Sequence, residues 1–181
     1  MTRMLLAAAA AAALSACAPM GMAPMGPGMP GSMAMPTRAM EYGRMAAASD
    51  MFEIQSGQMA AQVSQNPDVR AFGQTLVQHH TMTSNEMMAA AQAAGMAPPP
   101  PMLDARKQAM MAQLQSTPAA RFDATFLNMQ MMAHQEALAL HSNYAARGDV
   151  PALRAVAARA VPVVRGHLEQ ATAMHHRMMG M

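Results

Sequence analysis

Three histidines and one glutamate are the residues of this chain whose types and spacing suit metal chemistry. Glu53 and His80 lie equally far along the chain from Asn66–Pro67, one before this pair and the other after it. Two helices joined at that turn rise by about 1.5 Å per residue, so both side chains reach the same height. The spacing therefore predicts a carboxylate beside an imidazole on neighbouring helices, which is a pair of metal ligands if both face inward.

His134 and His167 extend this set, because each lies near the middle of a later helical segment. The position that mirrors His134 across the predicted turn at Gly148–Asp149 falls about one helical turn short of His167. Together with Glu53 and His80, these histidines predict a His-rich site with one carboxylate. Such a donor set suits a single copper, zinc or iron ion.

Other interpretations of the same residues remain open. Asp50-x-x-Glu53 is related to the capping box, in which Glu53 would bond back to the start of its helix and bind no metal. Three histidines at similar depth also suit a hydrogen-bonded polar layer that fixes how the helices align. The glutamates of a Glu-x-x-His di-iron site are replaced by Val77, Met131 and Val164. A redox enzyme built on this site is therefore the least supported alternative.

Methionine and histidine near both ends of the chain form a second set of possible ligands. These residues are Met20, Met22, Met25, Met29, His175 and His176. Thioethers are soft ligands that prefer Cu(I) or Ag(I). Because the chain holds 26 methionines in all, general methionine richness and oxidant trapping through sulfoxide are the alternative explanations.

The N-terminus has the pattern of an export signal. Arg3 precedes an apolar run, and residues 14–17 read Leu-Ser-Ala-Cys, an order typical of a bacterial lipoprotein signal. Cys17 is then the predicted lipid-acceptor residue, and acyl chains on it would anchor the protein to a membrane. Ordinary cleavage near Ala16 or Ala18 is the alternative. Because Ala18 rather than aspartate follows Cys17, we expect an extracytoplasmic protein on the outer membrane, facing the periplasm.

Changes in composition divide the chain into four parts. Residues 1–16 are the predicted signal peptide, and residues 17–47 are a Met-, Pro- and Gly-rich stretch that predicts a disordered tether. Residues 48–174 have helical periodicity, and residues 175–181 form a His- and Met-rich tail. The chain thus predicts one folded domain between two ligand-rich ends.

Start and stop signals predict four long helices within that domain. Asp50 is expected to cap the first helix and Asp149 the fourth, while Asn66–Pro67 begins the second. A short crossover helix over residues 103–115 separates the second helix from the third. Because the other two turns are short, the sequence predicts an all-α, antiparallel four-helix bundle of ferritin-like topology.

Several short motifs carry a resemblance to a known family. The first half contains Phe52-Glu53-Ile54, Asn66-Pro67-Asp68-Val69 and His80-Thr81; the second contains Val161-Pro162 and Gly166-His167-Leu168. In this order they resemble the exported bacterial ferritin-like family called domain of unknown function 4142. The resemblance covers about residues 48–173. It implies a ferritin-like fold and favours a metal site, but it implies no particular activity.

Composition excludes several classes of function. The net charge is only +2 and 12% of the residues are charged, so the basic surface that nucleic acid requires is missing. No glycine-rich phosphate loop, Cys-x-x-Cys pair or Gly-x-Ser-x-Gly motif is present. We therefore expect a lipid-anchored helical bundle that acts as a non-catalytic binding or envelope-stress module. The alternatives are a Cu(I)- or Ag(I)-binding protein that uses its Met/His tails, or a metal site within the bundle.

Overall fold

The computed structural model describes residues 35–98 and 100–180, and all of them lie in one compact unit. Within these residues the chain forms only helices: α1 (Ala39–Val63), α2 (Pro67–Ala93), α3 (Ala105–Ser116), α4 (Ala119–Arg147) and α5 (Pro151–Met179). None of these helices is long and apolar enough to cross a membrane. The predicted signal peptide, Cys17 and four predicted ligands lie outside the described residues; the four are Met20, Met22, Met25 and Met29.

The four long helices form a bundle built from two helical hairpins. Helix α1 packs on α2, and α4 packs on α5. The hairpins meet because α2 also contacts α5 and α1 contacts α4, while the short α3 lies against α1 and α4. The predicted all-α bundle with a short helix in the connection is therefore confirmed.

The predicted turn at Asn66–Pro67 explains how the first hairpin is closed. The Asn66 side chain accepts a hydrogen bond of 2.9 Å from the backbone N–H of Asp68, and Pro67 occupies the first position of α2. Both features are typical of a helix N-terminus. At the start of α3, the Asp104 side chain caps the helix by accepting a hydrogen bond of 2.8 Å from the backbone N–H of Lys107.

A glycine pair brings α1 and α2 unusually close together. A Cβ atom at Gly57 would lie 2.7 Å from the carbonyl oxygen of Gly73, and one at Gly73 would lie 2.5 Å from that of Gly57. Real Cβ atoms do not tolerate such distances, so glycine is required at both positions. The close approach sets the distance between the helices that carry Glu53 and His80.

Helix α1 begins at Ala39, inside the stretch of residues 17–47 predicted as tether, and not at the expected cap Asp50. The first turns are rich in alanine, and Tyr42 is fully buried, so this segment gains both helix propensity and core packing. Asp149 was expected to cap α5. Its side chain instead accepts one hydrogen bond of 2.8 Å from the N–H of Ala39 and another of 3.0 Å from the Tyr144 hydroxyl. An acceptor distant in sequence thus caps α1.

The end of α5 also differs from the prediction. The helix continues through Pro162 and includes His175 and His176, which were assigned to a tail of residues 175–181. It ends before Gly180, whose positive φ of 71° is the left-handed conformation that glycine favours at a helix end. Met174, on the last turns, is buried against the core, which explains why the helix persists there.

Two apolar clusters fill the bundle, one toward each end. The first includes Phe52, Phe72 and Phe126, and the second includes Tyr42 and Tyr144. Between the positions that these clusters occupy along the helices, the chain places buried polar residues, including three histidines. The bundle therefore encloses a polar layer between two apolar regions.

Candidate metal centre

Three buried histidines meet in this polar layer. His80 comes from α2, His134 from α4 and His167 from α5. Their exposed fractions are 3%, 0% and 4%, and one ring nitrogen from each lies within 4.8 Å of the other two. The sequence predicted all three as ligands, and the structure brings them together. We call them the histidine triad.

Each triad histidine is held by a partner on its outer ring nitrogen. Nδ1 of His80 lies 2.8 Å from Oδ1 of Asp50, and Nδ1 of His134 lies 2.8 Å from the carbonyl oxygen of Gln130. Nε2 of His167 lies 2.9 Å from Nδ1 of His79. Metal-binding histidines are normally oriented in this way, by a carboxylate, a carbonyl or another polar group on the second nitrogen.

The inner ring nitrogens face one another: those of His134 and His167 form a hydrogen bond, and that of His80 has no partner. A carbonyl can only accept, so the bond to Gln130 keeps the proton of neutral His134 on Nδ1 and leaves a lone pair on Nε2. That Nε2 lies 3.2 Å from Nδ1 of His167, while Nε2 of His80 has no hydrogen-bond partner. Nitrogens on one tetrahedral ion are about 3.3 Å apart, given metal–nitrogen bonds of about 2.0–2.1 Å. The His134–His167 pair has this spacing, and the third nitrogen lies close enough that the triad could hold a metal ion.

Glu53 lies beside the triad but is not one of its close donors. It is buried in the middle of α1, and its Oε1 is 3.8 Å from Nδ1 of His134, the nitrogen that faces away from His167. Neither carboxylate oxygen makes a hydrogen bond of normal geometry, although the nearby Gln130 amide favours the ionised carboxylate. The capping-box interpretation of Glu53 is wrong, because α1 begins well before Asp50.

Burial dominates the electrostatics of Glu53. It raises the pKa of this carboxyl to about 7, against the opposing effects of His80 and Lys107. Lys107 is itself buried on α3, and burial lowers the pKa of its amine. Near neutral pH the Glu53 side chain is thus poised between a neutral acid and an anion, and a nearby cation would favour the anion.

The triad histidines differ in how readily they take a proton. Burial and the neighbouring histidines lower the pKa of His134 well below its usual value and that of His167 to about 3. Burial alone would also lower the pKa of His80, but its hydrogen bond to Asp50 and the Asp50 and Glu53 charges raise it overall. Two of the three imidazoles are therefore neutral at physiological pH, the form that binds metal.

Sequence reasoning missed three polar residues around the triad. Asp50, expected to be a helix cap, bonds to His80 and also accepts 2.9 Å from the Ser84 hydroxyl. No motif in the sequence marked His79 or His141 as part of this site. His79 is half-buried against His167, whereas His141 is fully buried and bonded to the Tyr42 hydroxyl at 2.9 Å. The available signal was that Asp50 lies three residues before Glu53, on the same helix face.

The C-terminal pair does not join the triad. His175 is half-buried and His176 is exposed on the last turns of α5. Within the part of the chain that the structure describes, the one group of His, Cys, Asp or Glu donors close enough to share an ion is the triad. The histidine ligands predicted in the tail and in the bundle thus lie in separate places.

Fold and site together define an all-α helical-bundle protein with a buried histidine cluster able to hold a metal ion. Residues 25–174 match the family described as Domain of unknown function (DUF4142), and the chain belongs to this family. The predicted family is therefore confirmed. No curated protein matches the chain.

Solved structures of similar fold include a protein described as CopM. Its Cu(II)-bound form is 16% identical and has a TM-score of 0.68, and the match covers 78% of this chain and 97% of that one. The Cu(I)-bound form has a TM-score of 0.67 at 16% identity, with the same coverage. A DUF305 fragment from Deinococcus radiodurans is 18% identical with a TM-score of 0.55, covering 74% of this chain and 96% of that one. At these identities the likeness concerns the fold.

Proposed function

We propose that this protein is a non-catalytic metal-binding module that holds one transition-metal ion in the histidine triad. The observation that carries the proposal is the arrangement of His80, His134 and His167. Their nitrogens converge within 4.8 Å in the bundle interior, while the outer nitrogen of each ring has a hydrogen-bond partner. A bound ion would supply a shared partner for the inner nitrogens, and the neighbouring Glu53 would balance its charge.

Copper is the ion we propose first. Imidazole suits copper, zinc and iron, and affinity at nitrogen sites generally peaks at Cu(II) among divalent first-row ions. The structures described as Cu(II)-bound and Cu(I)-bound CopM support the same choice, since they share this fold. Zinc and iron are the competitors in the experiment below.

A polar layer that only aligned the helices would explain fewer of these observations than a metal site does. Buried polar atoms in folded proteins almost always have hydrogen-bond partners. Nε2 of His80 has none, and neither oxygen of Glu53 makes a hydrogen bond of normal geometry. A layer that only aligned the helices would gain nothing from these unpaired atoms, because each costs free energy to bury. A cation removes that cost, since it binds the free nitrogen and favours the carboxylate.

Metal loading of two forms of the chain tests the proposal. Residues 18–181 and residues 35–180 are purified, exposed to Cu(I), Cu(II), Zn(II) or Fe(II), and analysed for bound metal. The shorter form keeps all five helices but lacks the methionines at positions 20–29. We expect one copper ion per chain in both forms. Metal lost on trimming would instead indicate chelation by the methionine-rich segment, and no metal in either form would leave a structural bundle.

Single substitutions locate the ion. His167→Ala is expected to abolish copper retention, and His176→Ala, which removes an exposed histidine from the same helix, is expected to preserve it. Circular dichroism is used to check that both variants remain helical. Equal retention by the two variants would contradict a site in the triad.

We further propose that Cys17 is lipidated and anchors the protein to the outer membrane, facing the periplasm. The proposal rests on the charge, apolar run and Leu-Ser-Ala-Cys order of residues 3–17. Labelling cells with radioactive palmitate should mark the wild-type protein and not Cys17→Ser. A labelled variant, or an unlabelled wild type, would contradict the anchor.

A further inference from the structure

A surface cleft between α2 and α5 is lined in part by His79, which contacts His167 of the buried triad. Its volume is about 120 Å³, and its lining includes His79 and Met82 of α2 and Val163 of α5. The triad itself is almost inaccessible, with no histidine more than 4% exposed. An ion from solvent therefore needs an intermediate contact before it reaches the inner nitrogens.

His79 provides a contact between this cleft and the triad. Its ring is half-buried, stacks on the His167 ring at a centroid distance of 5.1 Å and an interplanar angle of 16°, and places Nδ1 2.9 Å from Nε2 of His167. Nε2 of His167 is the nitrogen that faces away from His134. An ion that reached His79 would thus be next to a triad ring.

Met82 adds a soft donor at the outer end of the cleft. It lies three residues after His79, on the same helix face, and is 54% exposed. Exposure of a methionine is not by itself evidence of a binding site, since Met88 on the same helix is also 39% exposed. Met82 differs because it shares the cleft with His79, and a thioether beside an imidazole suits Cu(I) or Ag(I).

The charges at the mouth of the cleft do not oppose a cation. Arg159 of α5 donates to Oε2 of Glu86 through Nε at 3.1 Å and through an Nη at 2.9 Å. Both side chains are exposed, at 60% and 42%, so this ion pair opens easily. The net charge of the pair is zero. When the pair opens, the Glu86 carboxylate becomes available to a cation in the cleft.

We propose that the α2–α5 cleft is the access route to the triad, where Met82 and His79 capture a soft metal ion and pass it to His167. This inference rests on the proposed function. The transfer is an exchange of ligands on one ion, in which each new nitrogen bond replaces an outer sulfur or nitrogen bond. No electron is transferred, and the ion keeps its charge.

Uptake kinetics distinguish a residue that lies on the access route from a residue that holds the ion in its final site. Transfer of Cu(I) from a coloured bicinchoninate complex is followed by stopped flow in wild type, Met82→Leu and Met88→Leu. We expect Met82→Leu to slow both uptake and release by about tenfold, equivalent to about 1.4 kcal/mol of barrier, so that the affinity is unchanged. Met88→Leu removes the same atoms outside the cleft and should match wild type.

His79→Ala gives a second expected result, since it removes both the capture nitrogen and the partner of His167. It should slow uptake and also weaken affinity by at least about tenfold, as for other outer partners of metal ligands. If the wild type takes up copper and Met82→Leu takes it up as fast as Met88→Leu, the access route is overturned while the triad site stands. A wild type that takes up no copper in the triad overturns both proposals.

Discussion

Glu53→Gln tests the electrostatics of the buried site most directly. Glutamine has nearly the shape of protonated glutamate but cannot ionise. In the folded protein burial raises the pKa of Glu53 from 4.5 to about 7. Between these two values the folded state holds a proton that the unfolded state has lost, so the metal-free protein loses stability as the pH rises through this window.

The size of the effect follows from that pKa. At about 1.4 kcal/mol per pH unit, the rise from 4.5 to about 7 costs the folded protein about 3 kcal/mol above pH 7. Glu53→Gln removes this cost. Relative to wild type, the variant should therefore gain about 3 kcal/mol between pH 4.5 and pH 8, whatever constant difference the amide itself introduces.

Urea unfolding of the metal-free protein measures this gain. The signal is far-UV circular dichroism, because the chain has no tryptophan and only two tyrosines. Glu86→Gln is the matched control, since its carboxylate is exposed and paired with Arg159 at the surface. A difference between Glu53→Gln and wild type that is equal at both pH values would refute the reasoning. It would mean that Glu53 ionises in the folded protein as it does in the unfolded chain.

Other substitutions test the packing and the remaining buried groups. Gly57→Ala should destabilise the protein by about 1–3 kcal/mol in the same urea assay, because its Cβ would lie 2.7 Å from the Gly73 carbonyl oxygen. The control is Gly166→Ala, which has open space around it and should be neutral or stabilising. His141→Asn should lessen the loss of stability between pH 6.5 and 4 by about 3 kcal/mol, since burial lowers the pKa of His141 to about 4 and only the unfolded chain gains a proton there; an unchanged pH profile would contradict this. Asp149→Ala should cost about 1–2 kcal/mol and speed hydrogen exchange in the first turn of α1, which loses its acceptor; unchanged exchange would contradict the cap.

Local signals in the sequence were sufficient to predict most of the fold. Asn66–Pro67 carries its own cap and first-turn proline, so the turn between α1 and α2 follows from neighbouring residues. The start of α1 could not be predicted in the same way. Its cap, Asp149, is far along the chain, and only the folded bundle brings the two together.

The site was predictable where helical spacing alone determines position. His80 lies close to its predicted neighbours because the distance from a tight turn fixes height in a hairpin. Spacing does not fix which way a side chain points around the helix. Asp50, and not Glu53, therefore holds the outer nitrogen of His80, and the buried position of His141 depends on a tyrosine from α1.

The triad draws its members from both halves of the chain. His80 belongs to the hairpin of α1 and α2, whereas His134 and His167 belong to the hairpin of α4 and α5. An ion held by all three would link the two hairpins, each of which forms from local contacts. Parting the hairpins would release it, so its binding free energy would add to the free energy of docking. Two fragments separated within residues 96–102 would then reassociate more tightly with the ion than without it.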